Sequence, residues 1–392
     1  MPNTVPTSTA GAMTPALGFA MAVAAGVAVA NIYYSQPMLG LMEQDMPGAL
    51  VGMVPTATQL GYAAGLFLLV PLGDLLERRR LIVVQFALLA IALAAVALSP
   101  GPLLLISASL LVGLMATVAQ QVVPLAAHLA SPEQRGAVVG KVMGGLLCGI
   151  LLSRTISGFV GDHFGWREMY WLGVPVAMAA GLWMAAVLPR SQPEAGLSYG
   201  ALLGSLRSLW REFSELRLAA FTQALMFAAF SVFWTILAFR LHARFGLGAE
   251  IAGLFGIAGA VGVLGAPIAG RVADRQGPGN TILFGVALAL FAWALFGVWT
   301  SIPGLVAGVV LLDFAVQVTL ISNQYIVFSL RPEARARLNT IFLGIMFLGG
   351  AAGSALSMHA YTRFGWTGVV ILGSALITAA AALQLRHRFS PR

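Results

Sequence analysis

Apolar residues in this chain run in long unbroken blocks, and charge is concentrated in the stretches between them. A helix needs about 20 apolar residues to cross the hydrocarbon core of a bilayer. Blocks of that kind lie at 16–40, 55–74, 79–99, 102–128, 137–161, 167–188, 218–240, 249–271, 280–300, 303–329, 338–359 and 366–385, predicting twelve membrane-spanning helices. Connections such as Ser99-Pro100-Gly101-Pro102 and Ser301-Ile302-Pro303-Gly304 stop helices and turn the chain tightly back. One connection is long, residues 189–217. From Tyr199 to Leu218 it places Leu203, Leu206, Leu209 and Trp210 at helical spacing with charges between them. That pattern predicts an amphipathic helix lying on the membrane surface, with a solvated linker as the alternative.

The blocks repeat. Shifted by 200 positions, the chain falls on itself without a gap: Asp74 on Asp274, Gly65 on Gly265, Pro132-Glu133-x-Arg135 on Pro332-Glu333-x-Arg335. Gly144 and Gly149 meet Gly344 and Gly349, and Phe164-Gly165-Trp166 meets Phe364-Gly365-Trp366. The expected fold is an all-α membrane protein of two pseudo-symmetric six-helix bundles, 1–188 and 218–392, joined by the 189–217 linker. Duplicated bundles of this kind place a substrate site between the repeats, near the bilayer midplane.

Composition agrees. Only 9% of residues are charged and 59% are hydrophobic, with a mean hydropathy of +0.89. A soluble domain carries about 25% charged residues, so a water-soluble fold is excluded. The net charge of +8 is spread unevenly. Of the Lys and Arg residues, only Arg167, Arg240, Arg244 and Arg363 fall in odd-numbered loops, and Arg154 lies within a span. By the positive-inside rule both termini and the central linker are expected in the cytoplasm, with the protein in the cell (inner) membrane. The same asymmetry explains the basic balance without nucleic acid. Cys148 is the lone cysteine and reveals no redox compartment. The first fifteen residues lack a basic signal-peptide start, so the first apolar block is expected to be retained.

Polar residues inside the blocks are few and patterned. On span ten Asp313, Gln317 and Gln324 share a stripe about 40° wide at 100° per residue. Span four carries Thr117, Gln121 and His128 in a similar stripe, and Thr117 is the repeat partner of Gln317. Both stripes are expected to line a shared, water-accessible cavity, because polar groups facing lipid go unsatisfied. Span one adds Asn31, Tyr34 and Gln36, with Tyr33 turned elsewhere, and span seven offers Trp234 as a stacking wall. Glycines crowd spans two, five, eight and eleven, where small residues let helices approach closely. Asp313 is the only acid deep in a span and Arg154 the only base. Each costs about 2.5–3.5 kcal/mol near a helix centre unless paired, hydrated or functional. Asp313 is read as a proton-carrying carboxylate, with Arg154 as its switchable partner or a substrate-anchoring cation; a static ion pair is the structural alternative.

Two copies of a loop carry a family resemblance. Val70-Pro71-Leu72-Gly73-Asp74-Leu75-Leu76-Glu77-Arg78 and Gly270-Arg271-Val272-Ala273-Asp274-Arg275-Gln276-Gly277 resemble the G-x-x-x-D-x-x-G-R signature of the major facilitator superfamily. Val70 and Glu77 stand where that signature has glycine. The resemblance implies a conformational latch of Asp74, Arg78, Asp274 and Arg275, in which the acid pairs with charges and helix ends of the opposite half. A topology-setting charged loop is the plainer reading. Asn31-Ile32-Tyr33-Tyr34-Ser35-Gln36-Pro37, Gly149 to Gly158 and Leu312 to Gln317 look like the drug- and sugar-efflux proton antiporters of the arabinose-efflux-like branch. That branch usually has an arginine four residues before the glycine of span four. Here Ser109 precedes Gly113, so the resemblance carries no proton relay onto span four.

What the resemblance implies is a secondary active transporter working by alternating access. The expected reaction is proton-coupled efflux of a small amphipathic drug-like molecule or sugar. Mostly neutral cavity residues with aromatics favour a neutral or cationic substrate, although Arg154 could bind a carboxylate. Uptake or facilitated diffusion is the runner-up, and a transport-inactive membrane sensor the alternative from another class. No phosphate-cradling loop, paired intramembrane carboxylates or nucleophile–base arrangement points to an enzyme. No cofactor or metal is expected, since no His, Cys or carboxylate cluster has ligand spacing. The expected partners are a small-molecule substrate, protons and the lipid bilayer, with no nucleic acid, for a monomeric protein.

Overall fold

The computed structural model describes residues 13–48, 50–190, 198–263 and 277–389, and every regular element among them is helical. Ten stretches of the described residues are long and apolar enough to cross a membrane, and Ala249–Gly262 is a shorter apolar helix. The expected spans eleven and twelve run on as one helix, Arg335–Phe389, interrupted only at Gly365 (φ 60°, ψ −151°). Its repeat partner Gly165 also takes positive φ, 118°, and each glycine precedes a buried tryptophan. Trp166 donates its indole N–H to Asp45 at 3.3 Å, and Trp366 donates to the Phe296 carbonyl at 2.9 Å.

The first expected span is broken into α1 (Pro15–Ala30) and α2 (Ser35–Asp45). Pro37 lacks an N–H, and the chain around it tightens: Ile32 donates to the Val29 carbonyl and Tyr33 to that of Ala30, both at 3.1 Å. The carbonyls of Val27 and Ala28 thereby lose their helical donors. The Asn31 side chain replaces them, its Nδ2 donating to Val27 at 2.7 Å and to Ala28 at 3.3 Å. A break at membrane depth is tolerable only when the freed backbone groups are paired in this way. Next come α3 (Val54–Leu68), α4 (Arg78–Ala97), α5 (Pro102–Ala116) and α6 (Val118–Leu129). The expected fourth span breaks between α5 and α6, at Thr117, seven residues ahead of Pro124.

The remaining elements are α7 (Arg135–His163), α8 (Trp166–Val187), α9 (Tyr199–Glu212) and α10 (Ser214–Phe245). They are followed by α11 (Ala249–Val263), α12 (Pro278–Val298), α13 (Ile302–Leu330) and α14 (Arg335–Phe389). The linker helix α9 is amphipathic as expected. Its buried face is Leu202, Leu206 and Leu209, while Leu203 and Trp210 are half-buried. It straddles the two repeats. Tyr199 donates its hydroxyl to the Leu68 carbonyl at 2.8 Å, and Glu212 pairs with Arg331.

Small residues set the closest helix contacts in both repeats. A side chain at Gly145 or Gly149 of α7 would collide with the backbone of Ala22 or Gly26 on α1. On α14, Gly349, the repeat partner of Gly149, and Gly353 press likewise on Ala224 and Ala228 of α10. Between the repeats α7 packs on α11 and α3 on α14. Asp162 at the end of α7 accepts from the backbone N–H of Ala249, the first residue of α11, at 3.0 Å. A carboxylate suits that place, because a helix start leaves donors unpaired and carries partial positive charge. Ser231 and Gln59 join α10 to α3 at 3.3 Å.

A bulky residue at such a contact forces apart helices whose packing is the main attraction between them in lipid. Gly149→Leu is expected to destabilise the protein by roughly 1–3 kcal/mol or more. Gly144→Leu, where an added side chain meets nothing within 4 Å, is the control. Thermal unfolding of the detergent-purified variants checks this: equal melting of the two would refute the close-contact explanation.

Candidate functional site

Arg154 lies where α7 packs on α11 across the repeats, against Gly253 and Gly256, and is 3% exposed. Its Nε donates to Gln36 Oε1 at 2.7 Å. Three aromatic faces surround the guanidinium, whose carbon lies 4.0 Å from the Trp234 ring centre, 4.5 Å from Tyr33 and 5.7 Å from Phe230. Each such contact is worth about 2 kcal/mol when desolvated. Asp313 is also buried, and accepts a hydrogen bond from the Trp234 indole N–H at 3.3 Å. Trp234 therefore connects the two intramembrane charges, its ring face to the base and its edge to the acid. Arg154 and Asp313 make no direct ion pair among the described residues.

The glycines of α11 make this arrangement possible. A side chain at Gly253 or Gly256 would run into Arg154, one at Gly259 into the Asp313 carboxylate and Trp234, and one at Gly262 into α13 and the Asp313 Cβ. The repeat inverts the relation: Gly113, the partner of Asp313, packs on Tyr62, the partner of Gly262. Close helix approach is kept in both halves, with the small residue exchanged between neighbours. From Trp234 a run of rings continues through Phe230 (6.0 Å between centres), Phe227 (5.3 Å), Phe347 (5.1 Å) and Tyr62 (4.4 Å). The Tyr62 hydroxyl accepts from Gln120 at 3.0 Å. A tight cleft with no room for a water molecule lies beside Arg154, walled by Gln36, Pro37, Trp234, Leu237, Ala238 and Ala252.

The expected site residues divide. Gln36, Arg154, Trp234 and Asp313 come together, and Gln317 lies half-buried one turn along α13 from Asp313. Tyr34 does not face the site. It is buried against Tyr170 of α8, ring centres 6.3 Å apart, and Asn31 caps the break in span one. Tyr33, expected to turn elsewhere, is the residue that covers Arg154. The reason is the break itself: 100° per residue ceases to apply past Ala30, and Pro37 was the signal for it. The span-four stripe also turns inward. Thr117 bonds back to the Leu114 carbonyl at 2.7 Å, and Gln121 donates to the Leu69 and Val70 carbonyls at 2.8 and 3.3 Å. Gln324 donates to Asn339 on α14 at 3.3 Å rather than joining the Arg154 group. In the loop after α3, Asp74 pairs with Arg78 at 3.3 Å, a local contact and not one across the repeats. Asp274 and Arg275 lie outside the described residues. Among the described residues no group of three His, Cys, Asp or Glu side chains is placed to hold a metal ion.

The Major Facilitator Superfamily model matches residues 19–327 and 264–391, nearly the whole chain. This protein belongs to the major facilitator superfamily. It is 43% identical over 372 residues to the "Uncharacterized transporter YgaY" of Escherichia coli O157:H7, covering 93% of each chain. It is 34% identical over 374 residues to the "Probable transporter SCO4007" of Streptomyces coelicolor, covering 93% of this chain and 86% of that one. Among solved structures, the nucleoside transporter NupG superposes with a TM-score of 0.73 at 14% identity, covering 97% of this chain and 100% of that one. At that identity the likeness speaks for the fold alone. The chain is thus a multi-pass membrane transporter of this superfamily.

In this transporter Trp234 has two separable contributions, a donor to Asp313 and a face to Arg154. Trp234→Phe removes the donor and keeps a face; Trp234→Leu removes both. A hydrogen bond to a charged group is worth about 1.5–3 kcal/mol and the stack about 2 kcal/mol. The leucine variant is therefore expected to melt well below the phenylalanine variant, and coincident melting curves would refute a stabilising stack.

Proposed function

We propose that this chain is a proton-coupled secondary transporter that exports a small amphipathic molecule by alternating access. The reading takes the protein as two six-helix units, 1–188 and 218–392, with twelve spans, both termini in the cytoplasm and the inner membrane as its site. The observation that carries it is the buried group of Arg154, Trp234 and Asp313, drawn from α7, α10 and α13. Two ionisable side chains are held at the contact between the repeats by an aromatic residue that touches both.

Coupling then has a physical minimum. A carboxyl alone in an apolar pocket keeps its proton, and one beside a guanidinium releases it. A movement of α7 against α10 that changes how far Trp234 separates the two groups changes proton occupancy on Asp313. Gln36 and Tyr33 belong to the first repeat and Trp234, Phe230 and Asp313 to the second, so rocking of the repeats disturbs this group directly. The ring run toward Tyr62, with Gln317 beside Asp313, is the proposed wall for the apolar body of the substrate. Asp74 and Arg78, with Asp274 and Arg275, are proposed as latches that exchange local pairs for contacts across the repeats. The cap that Asp162 places on α11 is a further bond that such a movement would break.

The test is proton movement in proteoliposomes containing a pH-sensitive dye, driven by compounds that raise the melting temperature of the purified protein. Wild type is expected to release protons against substrate movement. Asp313→Asn is expected to abolish proton release while the thermal response to the compound persists, since binding alone raises stability. Unchanged proton release would remove Asp313 from the mechanism. Substrate flux without proton release in wild type would leave facilitated diffusion.

A further inference from the structure

The Arg154 guanidinium is held by one edge and left free at the other. Nε is fixed by Gln36, the faces are covered by Trp234 and Tyr33, and Nη2 is buried with no hydrogen-bond partner among the described residues. Asp313 makes no ion pair with Arg154 among the described residues, and its Oδ1 accepts instead from the Trp234 N–H. A buried cation with an empty donor is costly, and removing or neutralising it is the usual outcome. Here it persists in the wall of a cleft that is closed to water in this structure and whose other walls, Pro37, Leu237, Ala238 and Ala252, offer no acid; a ligand enters only as the repeats part. A guanidinium held through Nε presents its two terminal nitrogens as a planar fork, the geometry that receives a carboxylate with two parallel hydrogen bonds.

The geometry points to a substrate that is a small organic monocarboxylate with an apolar or aromatic body: Arg154 anchors the carboxylate, Gln36 sets the orientation of the fork, and the rings beyond Trp234 receive the body. This rests on the central site of the proposed function and names the class of molecule it takes. It reverses the expectation, drawn from the mostly neutral polar residues, of a neutral or cationic substrate. A cation has little to gain here: the ring faces are already occupied by Arg154, and the one carboxylate is shielded behind the indole. A tricarboxylate or polyphosphate is also disfavoured, since one unpaired base serves one negative charge.

Equilibrium binding to the full-length protein in detergent tests this, with melting temperature and intrinsic tryptophan fluorescence as readouts and no proton gradient present. The probes are benzoate, phenylacetate and hexanoate, their neutral counterparts benzamide, phenylacetamide and hexanamide, and the cation benzyltrimethylammonium. At least one carboxylate is expected to bind saturably, with its amide at least about tenfold weaker, the loss expected from removing a charged hydrogen-bonded partner. Arg154→Gln should weaken that carboxylate by a similar factor or more, each variant's ligand response being read against its own unliganded melting temperature. Ala238→Met, which crowds the cleft a ligand must open, should weaken it too. No carboxylate bound, equal affinity for acid and amide, binding unchanged in both variants, or preference for the ammonium compound would each overturn the assignment. These measurements fail independently of proton coupling: loss of proton release in Asp313→Asn bears on coupling, whereas carboxylate preference bears on Arg154.

Discussion

The stack of the Arg154 guanidinium on Trp234 is the contact on which the rest of the centre depends. A cation at this depth is tolerable only if something other than water screens it. Three ring faces and one amide oxygen provide that screening, from both repeats at once. The contact therefore ties the halves together while leaving charge unbalanced between them. An ion pair would have neutralised the centre and set the halves in one arrangement. A shared indole, touching base and acid by different parts of its ring, leaves both charges responsive to small relative movement.

That contact in turn depends on residues with no chemistry. α11 can lie against Arg154 and Asp313 together only because Gly253, Gly256, Gly259 and Gly262 present no side chains. Three-residue spacing drifts round a helix by about 60° per step, so successive glycines face first α7 and then α13. A packing motif that looks uniform in sequence thus serves two different charged neighbours. The same device recurs in the contacts of α7 with α1 and of α14 with α10, where glycines on one helix admit the backbone of the other.

Much of this is legible in the residues alone. The apolar blocks located the helices, the 200-residue register paired Gly149 with Gly349 at close helix contacts and Gly165 with Gly365 at positive φ, and the linker forms a helix over Tyr199–Glu212 of the expected Tyr199–Leu218. In sequence, Trp234 is placed by its repeat relation to span one and Gln36 as one of that span's polar residues, whereas Tyr34 is placed by sharing a helical face with Asn31, and it packs on Tyr170 instead. The difference is local. Helical-wheel geometry holds only while the backbone stays helical, and residues 31–34 are a turn stabilised by the Asn31 side chain. Gln121 and Gln324 misled for another reason: a long amide inside a membrane protein can be satisfied by a neighbouring helix end or amide, and sequence does not say which. Phe230 and Asp162 gave no signal, one being an ordinary apolar residue and the other an ordinary loop-end acid until α11 is seen to begin at Ala249.

The distribution of satisfied and unsatisfied groups argues for where the machine is poised. On one side of the centre, the backbone donor that opens α11 is capped by Asp162, and the broken carbonyls of span one are paired by Asn31. Toward the linker, α9 is tied to Leu68 and to Arg331. Arg154 Nη2 is one of several buried polar atoms without a partner, Gln85, Arg240 Nε and Trp293 Nε1 among them, and it is the one that belongs to the inter-repeat cleft. A bundle that needed only stability would do as well or better with an apolar residue of similar volume in place of an isolated buried arginine. An arginine in a crevice that joins the two repeats is better accounted for by a partner that comes and goes than by packing.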